Sequence, residues 1–229
     1  TTVEFSGVVQ YANNSNTNSS THSRMSFKVF SNDIAIENLT LVNTTPQGGS
    51  QAEALMVDNP SARFILNNAE VDSRQDTILA NANTSQCYFY NSLVKGNFDY
   101  VWGGGNCYFT KCEFQTIPTA NSYNLVATRT DTSTGAGAGQ WPGWGVNQFT
   151  SNGFSFVQCR LTRSSTTVSN ITLAGANGTA NGQAAFLYCS MDVSNSNGYI
   201  APTIASGVLS NELLWEFGNS NLDNTASAS

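Results

Sequence analysis

Large apolar residues recur along the chain in one local order: two of them two positions apart, a small residue or thiol three positions on, and another apolar residue two further. Phe64, Leu66, Ala69 and Val71 follow it, as do Cys107, Phe109, Cys112 and Phe114, and Phe154, Phe156, Cys159 and Leu161. Phe186, Cys189 and Met191 give a partial copy, and Tyr88, Asn91 and Leu93 a looser one. The anchors Ala69, Asn91, Cys112, Cys159 and Cys189 stand 22, 21, 47 and 30 residues apart. Each copy predicts a short alternating strand that buries its apolar side only by stacking on a neighbouring copy. The spacing predicts a parallel β-helix with coils of roughly 20 to 25 residues, some carrying insertions. An antiparallel sandwich also has short strands at regular spacing. The shared internal order and the scarcity of two-residue hairpin turns favour the β-helix.

Composition narrows the class. Only 10% of the 229 residues are charged, while Asn, Ser, Thr and Gly are abundant and no window keeps a helical period. The expectation is an all-β, secreted-type protein with one elongated domain over 1–229 and a polar tail from 219 to 229. No run of about 18 apolar residues marks a membrane span, and the N-terminus lacks a basic-then-apolar signal, so a soluble mature chain is expected.

A net charge of −6, with nine basic residues scattered along the chain, argues against nucleic acid as a partner. The five cysteines form no CxxC or Cys/His metal pattern and sit inside the apolar repeat. They read as stacked, buried thiols, not as a disulfide framework or a metal site.

The sole histidine, His22, lies in a polar stretch, and no G-x-S-x-G motif occurs, so a Ser-His-Asp hydrolase is not expected. What remains is carboxylate chemistry. Asp76 and Asp99 are 23 residues apart, close to one coil, and Gln51 precedes Gln75 by 24. Stacking would bring two carboxylates and two amides to one face. One carboxylate can then attack a carbonyl while the other shuttles protons and the amides stabilise an oxyanion. The same residues can equally form stacked ladders or turn caps.

Four segments then resemble the pectin methylesterase family, in that family's order. QAEAL (51–55) resembles its Gln-Ala-Val-Ala-Leu segment and QDTIL (75–79) its Gln-Asp-Thr-Leu segment. GNFDYVWGGG (96–105) resembles its Gly-x-x-Asp-Phe-Ile-Phe-Gly segment, and WEFGNS (215–220) its closing stretch. The resemblance implies a right-handed parallel β-helix that hydrolyses methyl esters of galacturonic acid units in pectin, without a cofactor or metal. Carried over by position, it implies that Asp99 is the nucleophile, Asp76 the general acid and then base, and Gln75 and Gln51 the oxyanion amides. Tyr100 and Trp102 offer stacking faces to sugar rings or pack the core and groove wall.

The family's Leu-Gly-Arg-Pro-Trp segment is replaced by Leu173-Ala174-Gly175-Ala176-Asn177, so its arginine and tryptophan are missing. Arg129 could supply the cation, or pair with Asp131. Trp141 and Trp144, in a Gly-rich insertion, read as ligand-facing or partner-facing. Family members also carry coils and a cap upstream of where Thr1 aligns, so the expectation is a domain lacking N-terminal coils, or one whose end another element covers. The leading expectation is a secreted esterase acting on polysaccharide. Its rivals are a carbohydrate-binding β-helix without catalysis and a structural fibre protein, with the chain a monomer or stacked end to end.

Overall fold

The computed structural model describes residues 2–5, 25–47, 52–58, 62–81, 85–118, 123–128, 153–168, 171–174, 183–192, 199–200 and 213–222. Twenty-two strands stand among these residues, and no helix. They build three parallel sheets, each receiving every third strand of the chain. The first sheet holds β1 (Thr2–Phe5), β4 (Thr40–Asn43), β7 (Glu70–Asp72), β10 (Leu93–Gly96), β13 (Glu113–Thr116), β16 (Arg160–Arg163), β19 (Ser190–Met191) and β22 (Ser220–Asn221). The second holds β2 (Phe27–Val29), β5 (Leu55–Val57), β8 (Ile78–Ala80), β11 (Phe98–Gly103), β14 (Tyr123–Thr128), β17 (Ile171–Ala174) and β20 (Tyr199–Ile200). The third holds β3 (Ile34–Glu37), β6 (Arg63–Asn67), β9 (Gln86–Tyr90), β12 (Asn106–Thr110), β15 (Phe154–Val157), β18 (Gln183–Leu187) and β21 (Leu213–Phe217). This is the parallel β-helix that the repeat predicts, with the right-handed sense that the family resemblance implies.

The repeat maps onto one corner of each coil, where the third sheet hands over to the first. Asn38, Asn68, Asn91, Lys111, Gln158, Tyr188 and Gly218 stand there in the left-handed conformation, with φ between 46 and 65°. Asn tolerates that region better than most side chains, and the amides of Asn38 and Asn68 also bond to each other. The residue after each turns inward, and here one anchor moves. Leu93 pairs with Glu113, so Ser92, not Asn91, lies level with Cys112. The Ala69 amide donates to Ser92 Oγ at 3.2 Å, and the Cys189 amide likewise to Asn219 Oδ1 at 2.8 Å, each one coil on. Cys159 Sγ donates to the Phe109 carbonyl at 3.4 Å and Cys189 Sγ to that of Phe156 at 3.3 Å, each reaching back one coil. All five cysteines are buried and unbridged. Burial pushes the Cys107 thiol well above its ordinary range, which makes it a packing group and not a nucleophile.

Inside, one row of the third sheet stacks Phe89, Phe109, Phe156 and Phe186 with centroid separations of 4.4, 4.9 and 4.6 Å. Phe114 meets Phe109 edge-on at 5.1 Å. Each coil contacts only its neighbours, and this stack and the parallel ladders hold them together. Phe109→Ala is expected to cost about 3–5 kcal/mol, because rigid rings above and below cannot collapse into the cavity. Urea unfolding checks this, and a loss under about 1 kcal/mol would show that the stack is not carrying the core. The last coil extends further than composition suggests. Ser220 and Asn221 pair with Ser190 and Met191, so the segment expected as a tail from 219 begins as a strand.

Candidate active site

The second corner of the coils, between the first and second sheets, holds the two candidate aspartates. Asp76 stands between β7 and β8, and Asp99 is the second residue of β11. A parallel bridge joins Gln75 to Phe98, and the Asp76 amide donates to the Phe98 carbonyl at 2.9 Å. Ile78 pairs with Val101 two residues further along, so the two aspartates occupy equivalent places on adjacent coils. Both are left-handed, at φ 60° for Asp76 and 49° for Asp99. Such backbone costs on the order of 1 kcal/mol and is best tolerated by Asn and Asp. The coil before is tied in by the Ala52 amide, which donates to the Gln75 carbonyl at 3.3 Å.

Asp99 also sits in a bulge. Phe98 pairs with Asn124 and Val101 with Val126, so Asp99 and Tyr100 together oppose the single residue Leu125. A bulge re-aims side chains and breaks the in-out alternation. Tyr100 and Val101 therefore both enter the core, and Trp102 faces out. Asp99 keeps 6% of its surface exposed, whereas Asp76 is fully buried. The amide of Asn124, on β14 of the next coil, donates to Asp99 Oδ1 at 2.8 Å. The Asn124 backbone amide is fixed in turn on the Asn97 carbonyl at 3.2 Å. The corner is tightly packed: a Cβ on Gly96 would lie 2.7 Å from Thr77 Oγ1 and from the Tyr100 ring. Just upstream, burial raises the Asp72 carboxyl above its ordinary range, with Lys95 and Arg74 pulling the other way. Glu53, fully buried, lies on the coil before Asp76.

A sequence profile of the family described as Pectinesterase matches residues 4–169. The chain belongs to the pectinesterase family. Among curated relatives, pectinesterase B of Dickeya dadantii is 34% identical over 106 residues, covering 40% of this chain and 24% of that protein. The chain thus matches about a quarter of that relative's length. Among solved structures, pectin methylesterase from carrot superposes with a TM-score of 0.73 at 16% identity, over 99% of this chain and 65% of that one. A pectin methylesterase in complex with a hexasaccharide superposes at 0.70 and 17% identity, over 99% of this chain and 73% of that one. At these identities the structures speak to the fold.

Placed in this pectinesterase fold, the candidates separate. Asp76, Asp99 and Gln75 come together at one corner. Tyr100 is a correction: it is fully buried, its hydroxyl bonded to Thr116, and it presents no face to a sugar. Trp102 is 8% exposed and packs in an outward row with Met56, Leu79 and Ala127. Gln51, Arg129, Trp141 and Trp144 lie outside the described residues. Leu173 and Ala174, the start of the stretch that replaces the family's arginine segment, lie on β17 beside β14, where Asn124 pairs with Thr172. Sequence reasoning missed Asn124, and only its hydrogen bond to Asp99 from the next coil marks it. Among the described residues, no group of three His, Cys, Asp or Glu side chains comes together as a metal ligand set.

Proposed function

We propose that this chain is a carboxylic ester hydrolase that removes methyl groups from galacturonic acid units of pectin, an extracellular polysaccharide, with Asp99 as nucleophile. The observation that carries this reading is the pair of aspartates in register on adjacent coils, one slightly open to solvent and the other closed off. Neighbouring parallel strands lie about 4.8 Å apart, which suits two carboxyls serving one reacting carbonyl.

In the proposed reaction an Asp99 oxygen forms a bond to the ester carbonyl carbon, and the carbonyl electron pair moves onto oxygen, where the amides of Gln75 and Gln51 receive it. The carbon–methoxy bond then breaks, and Asp76, protonated at this stage, gives methanol its proton. This leaves an acyl group joined to Asp99. Water attacks that acyl carbon, Asp76 takes the proton, and the free uronate leaves with Asp99 restored. The product acid's own proton passes to solvent as the uronate leaves, and water is the only co-reactant.

Asn124 takes a defined part in this scheme. Its amide donates to Asp99 Oδ1 at 2.8 Å, which orients the carboxylate for attack. A hydrogen bond to a charged group contributes about 1.5–3 kcal/mol, so Asn124→Ala is expected to lower kcat about 10- to 100-fold, while Asn124→Asp loses more through like-charge repulsion. Initial rates of methanol release check this, and unchanged kcat in Asn124→Ala would remove Asn124 from the scheme.

The deciding experiment for the function is methanol release from highly esterified pectin by the native chain, with de-esterified polygalacturonate as the blank. Release above the blank supports the esterase. Binding of the polymer with no methanol above the blank would replace it with a carbohydrate-binding β-helix.

A further inference from the structure

The outer face of the third sheet carries a second feature, away from the corner of the aspartates. Register pairing aligns Ile65, Tyr88 and Tyr108 on three consecutive coils, and their side chains point outward, 45%, 38% and 45% exposed. The same row begins at exposed Ala35 and runs on through buried Ser155 and Ala185 to Trp215, 43% exposed. Two buried positions therefore set the Ile65, Tyr88 and Tyr108 platform apart from Trp215. A cavity of about 490 Å³ opens over it, edged by the polar residues Arg63, Gln86 and Asn106. That volume lies in the range of small-ligand sites. Tyr90 extends the platform, its ring within 17° of parallel to that of Tyr88 at a centroid distance of 6.3 Å.

We propose that this cavity is a second polysaccharide-binding site, which holds an acidic glycan chain while the active-site corner works on another stretch of it. The proposal rests on the pectin reading for its choice of polymer. Three observations select the occupant. Ring faces are the surfaces on which the C–H side of a pyranose packs, and three tyrosines supply them here. The Gln86 amide and the Arg63 guanidinium at the rim offer hydrogen bonds to hydroxyls, where the groove for a protein helix would be lined by aliphatic side chains. Charge gives the third. Arg63 is matched by Asp33, with Nε and Nη2 at 2.5 and 2.7 Å from its two carboxyl oxygens. Lys111 is exposed over the Tyr90 ring, its Nζ 6.0 Å from the centroid. It has no carboxylate within ion-pair reach among the described residues. On a protein of net charge −6, an uncompensated cation beside an aromatic platform complements a uronate carboxylate.

The test is affinity electrophoresis of the full chain through gels containing polygalacturonate or a neutral β-glucan. The variants are Tyr88→Ala/Tyr108→Ala and Lys111→Gln, and methanol release from a short methyl-esterified oligomer is measured in parallel. The double variant is expected to bind polygalacturonate about tenfold more weakly, in line with the loss of two ring contacts, with turnover of the short oligomer unchanged. Lys111→Gln is expected to bind polygalacturonate about threefold more weakly, to flatten the salt dependence and to leave the neutral glucan unaffected. Should the double variant fail to fold, Lys111→Gln alone decides. Retention equal to the native chain in every variant overturns the proposal. So does unchanged retention with a fall in melting temperature for the double variant, which would show that a segment of the chain itself covers the platform. Absence of methanol release from every substrate would sink the esterase reading but leave the retention measurement intact.

Discussion

Asp99→Asn is expected to abolish methanol release, lowering kcat by about 10⁴ or more, the scale seen when a covalent nucleophile is removed. The expectation is specific because the substitution preserves nearly everything else at the corner. Asparagine tolerates the left-handed backbone that Asp99 adopts at φ 49° at least as well as aspartate does. Its side-chain oxygen can still accept the 2.8 Å bond from Asn124. The backbone bond between the Asp76 amide and the Phe98 carbonyl involves neither side chain. Far-UV circular dichroism and the melting temperature should therefore match those of the native chain, while a neutral amide has no carboxylate to attack the ester. Residual activity within tenfold of native would mean that another group, or water itself, attacks the carbonyl.

Gln75→Ala is expected to have the second largest effect, a fall of about 10²–10³ in kcat, the usual loss when one preorganised oxyanion donor goes. Gln75 is tied into the coil by its main chain, through the Ala52 amide on its carbonyl and the bridge to Phe98. Truncating its side chain removes a donor without loosening the corner, so the melting temperature should move little. Activity retained with a lowered melting temperature would instead assign the amide to a stacking ladder.

The two parts of the molecule differ in how legible they were. Burial in a β-helix is periodic, and a repeat such as Phe64, Leu66, Ala69 and Val71 carries that period in residue type alone, so the architecture could be read from the sequence. The copy given as Tyr88, Asn91 and Leu93 slipped by one: Cys87, Phe89, Ser92 and Val94 are the inward residues, and Tyr88 faces out. Register pairing shows that Asn91 is the left-handed turn residue and Ser92 the one that turns inward. At the site, the spacing of Asp76 and Asp99 announced their stacking, since one coil separates them. Tyr100 was misread for a physical reason. Strict alternation would turn it outward, but the bulge at Asp99 and Tyr100 sends two successive side chains into the core, and no residue type announces a bulge. Asn124 was illegible for another reason: one asparagine in an alternating strand acquires meaning only when stacking, level with Phe98, brings its amide within hydrogen-bond reach of Asp99.

The central claim, that Asp99 carries the acyl group, is tested most directly by acid-quenching the native chain during turnover of a methyl-esterified galacturonate oligomer and mapping its peptides by mass spectrometry. The account predicts a uronoyl adduct on the peptide that contains Asp99 and none in Asp99→Asn. Steady methanol release from the native chain with no adduct at Asp99, matched by equal release from Asp99→Asn, would contradict it.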